Sequence, residues 1–383
     1  MVRTYDFAVI GAGVFGAWTA QYLQRSGARV ALIDSYGAAN GRASSSGETR
    51  VIRAGYGPDE LYTRWAARSL PLWCEFFDRV GLRLFHGTGV LWLSTDEDSY
   101  TKQLVDVLGN NEVPFEKLSA DEIRKRYPQF VFEDVTWGLL ETRSGLLMAR
   151  QAVQALVKDA VRNGVDYRMA SVLAPEGSGA LSQIKTTTGA VSAATFVFAC
   201  GPWLPTLFPE LLAQRFFVSR QDVFFLGPPP GNTGYRSPQM PAWLHHGYPG
   251  IPYALPDIES RGLKIAFDQH GPAFDPDTAN RVVQPAAIEH LRGFLKKHLP
   301  AMYDAPILET RVCQYENTSN GDFLIDRHPD FENVWIVGGG SGHGFKHGPA
   351  VADYVSARIL RNAPAESRFS LATKQTVQMR AVY

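Results

Sequence analysis

The chain has 383 residues, more than one hydrophobic core usually serves, so two packed regions are expected. Lys plus Arg and Asp plus Glu both total 38, which excludes the broad cationic field of a nucleic-acid binder or of a protein held on an anionic membrane. Cys74, Cys200 and Cys313 are too dispersed for a zinc site or a disulfide framework, and with no leader-like segment at the start a reduced, cytoplasmic setting is expected.

In chain order, residues 5–10 read as a buried parallel strand, 11–16 as a tight turn, 14–26 as a helix and 28–33 as the next strand. Residues 40–47 form a loop rich in Ser and Gly. Residues 61–80 have helical apolar spacing, which Pro71 is expected to kink or divide. Short strands around a polar helix follow over 82–140, then a helix over 151–163 and a buried strand that ends at CGPW. Residues 216–299 carry Pro-rich turns, the strand-like GLKIAFD and a helix over 285–298. A final strand, a glycine-rich turn and a long helix close the chain. The pattern predicts an α/β protein: a Rossmann-type dinucleotide-binding domain (1–82, 145–215 and 310–383) and a smaller α+β domain with a mixed sheet (83–144 and 216–309), both discontinuous.

Gly11, Gly13 and Gly16 have the spacing G-x-G-x-x-G, which permits a tight turn, close approach of backbone to a diphosphate and close helix packing. Asp34 ends the second strand, where its carboxylate can accept hydrogen bonds from ribose hydroxyls. This spacing alone fits NAD as well as FAD.

Longer segments discriminate. GAGVFG, SSSGETRVIRAGYG, LETRSGLL, CGPW, GLKIAFDQHG, RVCQYENT and GGGSGHGFKHG, taken in this order over nearly the whole chain, resemble the monomeric sarcosine oxidase and N-methyltryptophan oxidase family of D-amino-acid-oxidase-like flavoenzymes. The resemblance implies FAD, a secondary amine bearing a carboxylate as substrate, O2 as acceptor and a monomeric enzyme. It places Arg50, Ser45, Thr49, Gly201, Gly342, His343, Gly344, Phe345 and Lys346 beside the cofactor. Arg53 and Lys346 would bind the substrate carboxylate, with Tyr56, Tyr253 and Tyr315 around the substrate. Cys313 falls where the family joins cysteine covalently to the flavin, and Lys264 where it places the lysine of oxygen activation. His343 is given no acid-base role.

The residues alone leave duller readings open. Arg50 and Arg53, three apart, would be neighbours on one turn of a solvated helix; Lys264 would be a charged gatekeeper on a strand edge; Cys313 would be a small core side chain. Asp268 departs from the family, whose sarcosine oxidases resemble this chain but carry histidine there. It is read either as an outward turn residue or as a group selecting a hydroxylated substrate, which would make the enzyme a fructosyl amino acid (Amadori) oxidase. An NAD-dependent dehydrogenase and a non-catalytic FAD-containing binding or assembly subunit are the alternatives from other classes.

Overall fold

The computed structural model describes residues 4–379. Its first sheet runs in the order Leu324–Arg327, Val334–Gly338, Gly189–Phe198, Thr4–Ile10, Val30–Asp34, Asp166–Met169, with Gln183–Thr186 added against Gly189–Phe198. The five strands from Val334–Gly338 to Asp166–Met169 are parallel. Both faces of the central strands are covered, which is why residues 7–10, 30–33 and 334–337 read as unbroken apolar runs and not as alternation, whereas the edge strand Asp166–Met169 does not. Val9, Leu32 and Val197 pack with the helix Val14–Arg25 on one face, while Ala8, Ile33 and Phe198 pack under Leu204 and Phe208 on the other.

The second sheet has eight strands, in the order Ile307–Thr318, Phe216–Leu226, Leu263–Phe267, Pro252–Leu255, Ala242–His245, Val90–Ser94, Trp137–Glu141, Phe115–Ser119. It is mixed. Ala242–His245 and Val90–Ser94 run parallel and join the two sequence stretches, while the other neighbours are antiparallel. Leu93, Phe224, Trp243 and Ile265 form its core with Leu291, Phe294 and Leu295 of the helix Pro285–His298. Ile307–Thr318 pairs along its length with Phe216–Leu226, so the domain break expected at residue 310 falls inside one strand.

Pro71 does not divide its helix, which runs unbroken over Glu60–Val80. A proline inside a helix costs about 3 kcal/mol. Here that cost is offset by burial of Trp73, Phe76 and Phe77, each aromatic burial being worth about 1.5–3 kcal/mol. Trp73 sits edge-on to Trp18 and stacks on Phe345, which ties this helix to the dinucleotide helix and to the C-terminal glycine turn. The Asp59 side chain accepts from the Tyr62 N–H at the start, and Gly81 at φ +69° ends the helix.

Candidate active site

The first strand delivers its chain directly into the glycine turn. At Gly11, φ is +102° and a Cβ would run into the Ala199 carbonyl; at Gly16 a Cβ would run into the Gly11 carbonyl. Gly16 therefore brings helix and turn together without facing a ligand. Asp34 accepts from the Ala12 N–H at 2.8 Å through one oxygen and from the Gly37 and Tyr36 N–H groups at 2.8 and 3.0 Å through the other. Burial raises its pKa and these N–H groups oppose the rise. Ser45 Oγ accepts from the Val14 N–H at 3.2 Å and docks the 40–47 loop on the helix start. Around this turn lies a cavity of about 310 Å³, whose wall includes Gly11, Gly13, Asp34, Ser45, Gly201 and Gly344.

A second cavity of about 110 Å³ adjoins it. Arg50, Cys313, Tyr315, Gly342 and Phe345 line both. Besides Arg50, the basic side chains of Lys264, Lys346 and Arg53 line the smaller space from different elements. Lys264 is on the strand Leu263–Phe267, which has partners on both sides, and is only 4% exposed, so it is no edge gatekeeper. Its Nζ donates to the Thr49 carbonyl at 2.7 Å; burial, then Arg50, holds its pKa well below the ordinary lysine value. Lys346 follows the glycine turn and donates to Tyr56 Oη at 2.7 Å and the His343 carbonyl at 3.1 Å, with its pKa pushed well down by burial and by Arg53. An ammonium has three donors, so one N–H remains for a ligand. The Arg53 guanidinium lies against the rings of Tyr56 and Trp92, at 4.8 and 4.7 Å from their centres, and bonds the Gly55 carbonyl.

Arg50 and Arg53 are not on a helical turn. Residues Arg50–Ile52 form a strand held by Gly145–Leu147, and that distant pairing overrides the local spacing. Tyr56 lies behind the wall of the second cavity, where its hydroxyl meets Lys346, His343 Nδ1 at 3.1 Å and His347 Nε2 at 2.7 Å. It positions the cation. Thr49, His343 and Lys346, expected beside the cofactor, line the smaller cavity. Tyr253 lines it as well, and Asp268 is turned into it, not outward. Tyr315 donates to Asp268 Oδ1 at 2.9 Å; burial raises the carboxyl's pKa, while Tyr315, Arg53 and Lys346 oppose this.

Two acids escaped the sequence reading. Glu141, fully buried, accepts from the Ala54 and Gly55 N–H groups at 2.7 and 3.0 Å, from Trp92 Nε1 at 2.8 Å and from Ser144 Oγ at 2.5 Å, and so fixes the turn that carries Arg53. Glu316 enters the larger cavity wall with Oε2 buried and unbonded. LETRSGLL and RVCQYENT contain these acids, but neither segment's local pattern marks one as buried.

FAD fits the larger cavity on its own chemistry. The glycine turn at the helix start suits a diphosphate, Asp34 suits a ribose, and Gly342, where a Cβ would strike the Tyr315 ring, lets the backbone pack against that ring on the wall shared with the smaller cavity. Residues 6–358 match the family described as FAD dependent oxidoreductase. The chain belongs to that family. This FAD dependent oxidoreductase is 31% identical to the peroxisomal sarcosine oxidase of Homo sapiens over 369 residues, 94% of this chain and 93% of the relative. It is 29% identical to the N-methyl-L-tryptophan oxidase of Yersinia pestis, with 96% and 99% covered. Among solved structures, the L-proline dehydrogenase of P. horikoshii shares the fold with a TM-score of 0.83 at 20% identity, over 97% of this chain and 98% of that one. Among the described residues no helix is long and apolar enough to cross a membrane, and no cluster of His, Cys, Asp or Glu suits a metal ion.

Proposed function

We propose that this FAD dependent oxidoreductase oxidises the C–N bond of an N-alkyl amino acid with O2 as acceptor. The observation that carries the reading is the convergence of Arg53 and Lys346 in a small cavity that shares Cys313, Tyr315 and Phe345 with the cofactor cavity. When bound, FAD would supply the two-electron acceptor for hydride from the carbon beside nitrogen and the route by which those electrons reach O2 as H2O2.

The chain's own residues do the rest. The Arg53 fork and the remaining Lys346 N–H hold the substrate carboxylate, and burial strengthens both interactions. That fixes the carbon to be oxidised against the shared wall. Arg50, Arg53, Lys264 and Lys346 disfavour a protonated substrate amine, which keeps the nitrogen lone pair ready to form the imine that water then hydrolyses. Lys264 stabilises the negative charge that develops on oxygen in the second half-reaction. Cys313, on the boundary of both cavities, would be the residue that holds the flavin covalently, its thiol and a flavin methyl group each giving up one hydrogen to O2 as the thioether forms.

About 110 Å³ suits a small N-alkyl amino acid. Asp268 favours a second reading, a fructosyl amino acid, whose sugar hydroxyls would donate to its carboxylate. Anaerobic mixing with sarcosine, pipecolate, N-methyl aromatic amino acids and fructosyl glycine tests both. Bleaching of the flavin band by at least one, with H2O2 released when air is admitted, is expected; no bleaching by any carboxylated secondary amine overturns the reading.

A further inference from the structure

Glu316 is 8% exposed and lies between two glycine turns of the cofactor cavity. Its Oε1 accepts from the Gly340 N–H at 3.1 Å, and a Cβ placed on Gly340 would stand 3.3 Å from that atom. On the other side a Cβ on Gly201, where φ is +55°, would stand 3.2 Å from Oε2. Oε2 is buried without any hydrogen-bond partner. Burial pushes the carboxyl's pKa up to about 7, partly opposed by the Gly340 N–H. Buried carboxylate oxygens are normally satisfied, and an unpaired one on a residue that lines a ligand cavity points to a missing donor.

The cavity's two ends say which donor. Gly11, Gly13 and Asp34 form the diphosphate and ribose end; Cys313, Gly342 and Phe345, shared with the smaller cavity, form the redox end. Glu316 is three residues past Cys313 on the same strand, beside Gly201, which follows Ala199 and Cys200 against the Gly11 turn. A carboxylate next to the diphosphate itself would repel it. We infer that Glu316 is a cofactor-binding residue whose free oxygen accepts a hydrogen bond from a hydroxyl of the ribityl chain joining flavin to diphosphate. The inference rests on FAD occupying this cavity and not on the amine reading. A protein that binds FAD but oxidises no amine leaves it standing.

Binding, measured by calorimetry, is the test. In a Cys313→Ser background, where flavin is held non-covalently, FAD, ADP and an FAD analogue with a deoxygenated ribityl chain are titrated into apoprotein carrying Glu316, Glu316→Gln or Glu316→Ala. Glu316→Ala should bind FAD about tenfold or more weakly while ADP affinity is unchanged, which also shows that the variant folds. The deoxygenated analogue should bind parent and Ala variant alike, since its donor is gone. In Glu316→Gln the amide oxygen keeps the Gly340 N–H and the amide NH2 faces the ribityl chain, whose hydroxyl can turn to accept from it, so affinity should stay within about threefold of the parent. Equal losses for FAD and ADP, an unchanged FAD affinity in the Ala variant, or a Gln variant as weak as Ala would each overturn the assignment.

Discussion

The Tyr315 hydroxyl donates to Asp268 Oδ1 at 2.9 Å, tying the strand Ile307–Thr318 to the turn after Leu263–Phe267 inside the smaller cavity. Asp268 lines that cavity together with Arg53 and Lys346. Asp268→Asn and Asp268→His are therefore expected to change the ratio of kcat/KM for fructosyl glycine over sarcosine by about tenfold or more, the value of a charge-assisted hydrogen bond. Identical ratios in all three proteins would remove Asp268 from substrate selection.

Arg53→Met and Lys346→Met should each weaken competitive inhibition by simple carboxylates about ten- to hundredfold while flavin content stays constant. A pH effect accompanies this. Burial and Arg53 hold the Lys346 pKa well below 10.5, so its charge is lost as pH rises through that lowered value and carboxylate binding weakens there. The decline should disappear in Lys346→Met and persist in Lys264→Met; inhibition independent of pH in the parent would show that the ammonium is not a carboxylate ligand.

Lys264→Met should slow reoxidation of reduced flavin by O2 and leave anaerobic reduction by substrate comparatively intact, because negative charge on oxygen develops only in the second half-reaction. Stopped-flow absorbance separates the two. The opposite pattern would make Lys264 a substrate ligand.

Acid precipitation reports on Cys313. The yellow chromophore should pellet with the parent protein and stay in the supernatant with Cys313→Ser. Chromophore left in the supernatant by both proteins would disprove the thioether.

Glu141→Ala removes the acceptor from four donors at once, each an unsatisfied polar group worth about 1–3 kcal/mol where water cannot replace it. Tm should fall by several degrees and carboxylate affinity should fall with it, since the turn beneath Arg53 loses its anchor. A variant with native Tm and native inhibition would show that the turn holds itself.

What the sequence made legible was local or came as ordered motifs. Gly11, Gly13, Gly16 and Asp34 belong to one strand–helix–strand unit, where spacing alone fixes geometry, and the helix Pro285–His298 is bounded by its own proline and its apolar period. Arg50 and Arg53 do not share a helical turn because Arg50 lies in a strand set by Gly145–Leu147, almost a hundred residues later, and the turn after Arg53 is held by Glu141. Tyr56 looked like a substrate contact because its segment is rich in ligands, but its hydroxyl is consumed by Lys346, His343 and His347. Glu141 and Glu316 were invisible for a related reason: an acid in a short motif gives no sign of which backbone N–H groups, from elsewhere in the chain, will enclose it.

The strand Ile307–Thr318 works as a ruler. Successive side chains alternate, so Gln314 and Glu316 face the larger cavity while Cys313 and Tyr315 reach the boundary with the smaller one. Its register is set by continuous pairing with Phe216–Leu226, from Phe216 opposite Thr318 to Phe225 opposite Glu309, with a shift only beyond it, where Leu226 faces Ile307. A slip of one residue would exchange the two sets together. Cofactor attachment and substrate recognition thus have no independent adjustment along this edge: insertions and deletions between 313 and 316 should abolish both at once, and evolution toward a new amine is confined to replacing side chains on a fixed backbone.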